Sequence, residues 1–144
     1  MTALLAGLGT AASADTNPRP SGDSTHPAEL RSGGWHSEGG YFVDKDKNGR
    51  SLWLQLAKKT RHADAEFRAY GEHISVSNWT SGYPTACARV WVNGTYRGGA
   101  CASLHKDDEY PLHLKEGSRV KVCLRLYDHN MHIKHHTCLS RGRA

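Results

Sequence analysis

The stretch from Leu126 to Cys138, LYDHNMHIKHHTC, gathers four histidines, an aspartate, a tyrosine and a cysteine. Imidazole, carboxylate and thiolate are the usual zinc donors, and a histidine beside a carboxylate is a common acid–base pair. Either chemistry requires the side chains to converge on one point. A hairpin turning at Asn130-Met131 disperses them instead. His135 and His136 then point to opposite faces, while His132 and His136 share a face but sit ~13 Å apart at about 3.3 Å per residue. His129 and His132 face each other beside the turn, yet two ligands fall short of the three or four a zinc site uses. Asp128 projects away from His129 on a regular strand. No G-x-S-x-G, H-E-x-x-H or papain-like cysteine context occurs, so the expectation is a protein that is not an enzyme and carries no metal or cofactor.

A second candidate, DKDKNG at residues 44–49, sets Asp44, Asp46 and Asn48 at alternate positions with Gly49 at the sharp turn, as a calcium loop does. Its twelfth position is Gln55 rather than a bidentate glutamate, and strands rather than helices flank it. A plain turn between strands is the reading that follows.

The four cysteines, Cys87, Cys101, Cys123 and Cys138, form no C-x-x-C pair. An even number in a small chain suits two disulfides in an oxidising compartment. Asn93-Gly94 between alternating runs signals a type I′ hairpin, since both positions must accept positive φ. That turn sets Val92 against Thr95 and, along an uninterrupted ladder, Cys87 against Ala100, one residue short of Cys101. A one-residue bulge at Gly98-Gly99 closes the gap. In the second hairpin, a turn at Asn130-Met131 sets Cys123 directly against Cys138. Pairing between the two hairpins is the alternative connectivity.

These hairpins belong to a longer series. From Tyr41 onward, short runs rich in β-branched and aromatic residues are separated by turn signals, about eight strands in all, with no sustained helical periodicity. The expected fold is all-β, a small antiparallel sandwich over residues 41–144. Upstream, residues 15–40 hold three of the five prolines with many Gly and Ser, and are expected to be extended or flexible. Residues 1–14 carry no charge and end Ala12-Ser13-Ala14, which resembles a signal peptide lacking its basic start. Secretion is the expected localisation. No segment approaches the ~20 apolar residues of a membrane span. The formal charge of +5 favours anionic partners without being a nucleic-acid signature.

On the last hairpin, Val120, Val122, Leu124 and Leu126 should face the core with Ile133, His135, Thr137 and Leu139. The other side then presents Lys121, Arg125, Tyr127, His132, Lys134 and His136, a basic and partly aromatic surface fitted to a partner. Of the four tryptophans, Trp53 and Trp91 are expected in the core, whereas Trp35, in the flexible segment, and Trp79, beside a turn, are the candidate contacts for a protein or a glycan. Asn78 and Asn93 head formal glycosylation triplets.

This layout, with VNGTYRGGACASL and KVCLRLYDHNMHIKHHTC, resembles the small adaptor subunit of secreted actinobacterial umbrella toxin particles. The resemblance implies a β-sandwich joining a large toxin scaffold to a lectin-like subunit, with the N-terminal segment as a tether. The expected function is a non-catalytic secreted adaptor bridging protein partners; a carbohydrate- or cell-wall-binding module and a hydrolase inhibitor are the alternatives.

Overall fold

The computed structural model describes residues 34–45 and 48–144. The expected leader, most of the Pro/Gly-rich segment and Asp46 of the calcium-like loop lie outside the described residues. Among the described residues nine strands follow in order: β1 (His36–Phe42), β2 (Ser51–Lys58), β3 (Arg61–Arg68), β4 (His73–Trp79), β5 (Thr85–Val92), β6 (Thr95–Ser103), β7 (Lys106–Pro111), β8 (Arg119–Tyr127) and β9 (Ile133–Arg143). They form two antiparallel sheets, ordered β1-β2-β3-β4-β7 and β6-β5-β8-β9. The period-two alternation of the sequence becomes the division between faces. Leu52, Leu54, Leu56, Phe67, Ile74 and Val76 of the first sheet and Val90, Val122, Leu124 and Leu126 of the second are buried in one shared core. Six alanines of β3, β5 and β6 leave room for these larger groups in the same core.

Both hairpins hold their expected cysteine register. Asn93 and Gly94 adopt φ of 49° and 84°, and Val92 pairs Thr95. The ladder then slips by one residue between Trp91 and Val90, leaving Arg97 unpaired, and Gly98 takes φ 120°. The bulge therefore lies one position before the expected glycine pair. Cys87 meets Cys101 and Cys123 meets Cys138, with Cα atoms 4.1 and 4.0 Å apart. Each staple spans one hairpin, and both sit in the four-stranded sheet. This pairing is compatible with an extracellular protein.

Three expectations about elements change. First, the fold starts upstream of Tyr41, because His36–Phe42 pairs along β2. Its two glycines hid it. Gly40 lies opposite Trp53, and a Cβ there would fall 2.9 Å from the Trp53 indole nitrogen, so the missing side chain gives the indole its place. Second, β7 covers Lys106–Pro111 rather than a run starting at Tyr110, and it is exposed throughout. Charged residues with no apolar alternation suit an edge strand. Third, the β8–β9 turn is wider than two residues. Asp128 accepts bonds from the backbone of Asn130 and His132, and the ladder slips between Leu126 and Tyr127.

The DKDKNG loop joins β1 to β2. Asp44 accepts a 2.9 Å bond from the buried Ser51 hydroxyl, which accepts from the Ala69 amide. Asn78 is fully buried, donating to the carbonyls of Tyr83 and Ala102 while its oxygen receives the Thr80 amide. Its glycosylation triplet is therefore closed in the folded chain.

Candidate functional site

The outer surface of the four-stranded sheet is built from alternate residues of β5 and β8 and their partners. Arg89 and Trp91 project from β5, Lys121 and Arg125 from β8, Tyr96 from β6 and His136 from β9. Trp91 faces Lys121 on one side and Tyr96 on the other, so the ladder itself brings these three together. Lys121 Nζ lies 5.7 Å and Arg125 Cζ 5.6 Å from the Trp91 ring centroid. Tyr96 tilts against Trp91 at 5.4 Å between centroids. Arg89 Nη1 donates to the Tyr96 hydroxyl at 2.6 Å, a bond that raises the guanidinium pKa further. The result is a cluster of cations arranged on two aromatic rings.

The charge pattern around this cluster is one-sided. Strands β5, β6, β8 and β9 contain no Asp or Glu, yet they hold one Arg each in β5 and β6, Arg119, Lys121 and Arg125 in β8, and Lys134, Arg141 and Arg143 in β9. Lys134 meets Asp128 at the hairpin tip and Arg143 shares a hollow with Glu116, so the group at the centre of the face is Arg89, Lys121 and Arg125, an arrangement that attracts anions.

The expected site residues divide into three groups. Lys121, Arg125 and His136 stand together on this surface, with His136 opposite Arg125. His132 and Lys134 are exposed but gather at the hairpin tip around Asp128, at 3.7 and 3.2 Å. The backbone amide of His132, followed by Lys134, holds the Asp128 carboxyl below its ordinary pKa. Their charge is thus partly answered within the turn. Tyr127 and Trp35 are corrections. Tyr127 is only 7% exposed and its hydroxyl supports Arg89, while Ile133, expected in the core, is 47% exposed. The slip beside Leu126 explains Ile133: it sets Ile133 against Tyr127, away from the core, and leaves Lys134 as the extra residue, while Tyr127 keeps its side of the sheet and is covered there beside Arg89.

Trp35 is 4% exposed and belongs to the core. It stacks on His135 with centroids 4.9 Å apart and meets Tyr83 edge-on at 5.5 Å; the Tyr83 hydroxyl lies 3.1 Å from His135 Nε2. It anchors the chain's entry to β1. Burial, with Lys58 nearby, lowers the His135 pKa. Trp79 is 43% exposed, as expected beside a turn, and rests against His105. Trp53 and Trp91, expected in the core, are only partly buried on the two outer faces.

Sequence reasoning missed Arg89, Trp91 and Tyr96 at the centre of the cluster. Alternation in β5 was sufficient to place Arg89 and Trp91 with Cys87, since residues two apart share a face. Tyr96 required the Asn93-Gly94 turn as well. Among the described residues no three His, Cys, Asp or Glu side chains are grouped to hold a metal ion, and all four cysteines are in disulfides. What the surface offers is fixed positive charge and aromatic area. Comparison with protein-family models, curated proteins and solved structures returned no match.

Proposed function

We propose that the protein is a non-catalytic, secreted binding module that docks the outer face of its four-stranded sheet onto an acidic protein surface, as an adaptor subunit would. One observation carries this reading: Arg89, Lys121 and Arg125 stand together at the centre of that face, set on Trp91 and Tyr96, in strands that hold no carboxylate. Aromatic residues and arginine are the groups that dominate protein interfaces. Two disulfides brace the same surface, so little ordering is left for the moment of association. On the umbrella-particle resemblance, the acidic surface would be the toxin scaffold, with the lectin-like subunit held elsewhere.

The test is affinity purification of the tagged protein from its native culture supernatant, beside the Lys121→Glu/Arg125→Glu variant. The wild type should retain a partner that salt releases. The variant should lose it by at least about tenfold, as expected when charge complementarity is reversed, with thermal unfolding unchanged. Equal retention by a folded variant removes this reading.

A further inference from the structure

Where β8 and β9 run out beside the Asn93-Gly94 hairpin, their ladder slips a second time. Lys121 faces Ser140 and Val120 faces Gly142, which leaves Arg141 as an extra residue. A bulge bends its strand and re-aims side chains. Beside it lies a hollow of about 520 Å3 walled by Trp91, Arg119, Lys121, Ser140 and Arg141, with Gly94 at its rim. That volume is within the range of small-ligand sites. Three cations enter the lining and no carboxylate does.

We propose that this hollow binds an acidic saccharide, a pyranose unit bearing sulfate or carboxylate groups. Three features select that chemistry. Trp91 gives an apolar wall suited to the C–H face of a sugar ring, which a bare inorganic anion would leave unused. Lysine and arginine only donate hydrogen bonds, so they suit charged oxygens better than neutral hydroxyls, which also need acceptors. Ser140 is the one side chain in the lining with an acceptor oxygen, so a neutral sugar would find few partners. Arg119 in the lining carries the paired donors that grip planar or tetrahedral oxyanions. The hollow overlaps the proposed protein-docking cluster at Trp91 and Lys121 and is distinguished from it by Arg119 and Arg141.

The full chain is titrated with a sulfated hexasaccharide, a uronate hexasaccharide, a neutral hexasaccharide, inorganic sulfate and a single-stranded oligonucleotide. Heat and the indole N–H resonances of the tryptophans are read together. At least one acidic saccharide should saturate and shift the Trp91 resonance, and the two acidic arms show whether sulfate or carboxylate is preferred. The neutral sugar and inorganic sulfate should bind at least about tenfold more weakly, the discrimination expected of one or more charge-assisted hydrogen bonds. Arg119→Ala/Arg141→Ala should weaken the saccharide by a similar factor while protein-partner capture persists. Should that double variant unfold early, Lys121→Gln is read instead. The proposal fails if neither acidic saccharide saturates, if inorganic sulfate matches them, if the folded variant binds equally well, or if the oligonucleotide binds more tightly.

Discussion

The two outer faces of the sandwich treat charge in opposite ways. Strands of the five-stranded sheet carry Glu38, Asp64, Glu66, Asp107, Asp108 and Glu109 against Lys58, Arg61, Arg68 and Lys106, so both signs are present. Its central carboxylates are answered within the sheet. Asp64 accepts from Gln55 at 2.7 Å and from Ser77 at 3.4 Å, with His62 at 3.5 Å, and Glu66 pairs with Arg68. In the four-stranded sheet Lys134 is answered by Asp128 of the turn, but Arg89, Lys121 and Arg125 at the centre rest on rings, which leave the charge unneutralised. A face that satisfies itself gains little from a partner. A face with fixed, unanswered charge gains from an anion, and that difference is the ground for proposing the four-stranded sheet as the binding face.

The largest test of this contrast uses the disulfides, since both brace the basic face and the acidic sheet has none. Replacing Cys123 and Cys138 by alanine should lower stability by about 3 kcal/mol, the chain-entropy value for a loop of roughly 15 residues. Denaturant unfolding measures the loss. Hydrogen exchange should show β8 and β9 losing protection more than β2 and β3. Equal loosening of both sheets would mean that the staples serve the whole fold and not the docking face.

A smaller effect concerns the seam between the sheets, where Trp35, before β1, stacks on His135 of β9. His135 has a lowered pKa in the fold, caused by burial and then by Lys58. The unfolded chain therefore binds the proton more readily. The stabilisation is fully present above the ordinary histidine value of 6.5 and is lost as pH falls from there through the lower folded value. Thermal unfolding between pH 7.5 and 5 should show the wild type weakening on the acid side, and His135→Gln should flatten that part of the profile. An unchanged slope in the variant would place the acid sensitivity elsewhere.

How far these faces were legible depends on which constraints are local. The all-β class, the hairpin at Asn93-Gly94, both disulfides and the outward direction of Lys121, Arg125 and His136 follow from alternation plus two pairs of cysteines. Those pairs act as rulers, because only certain turns and bulges let them meet. Ile133 left the core because the Asp128 turn took an extra residue, which alternation cannot count. Trp35 looked like a free contact because its partners, His135 and Tyr83, are distant in sequence. β1 was obscured by glycines that exist to admit Trp53. The acidic strand β7 has no apolar period at all, and its position comes from pairing with β4.

The smallest expected effect gives the contrast its strictest control. Glu66 and Arg68 are both about a third exposed, and exposed pairs of this kind contribute only about 0–1 kcal/mol. Glu66→Gln removes one charge and leaves a side chain of the same length opposite Ser75 and Trp53. Stability should move by less than about 0.5 kcal/mol, within the usual range for a surface substitution. Partner capture should not change, because the substitution alters the face whose charges are already matched. If Glu66→Gln weakened capture as much as Lys121→Glu/Arg125→Glu, the acidic sheet would itself be in contact with a partner, and the division between a binding face and a self-satisfied face would fail.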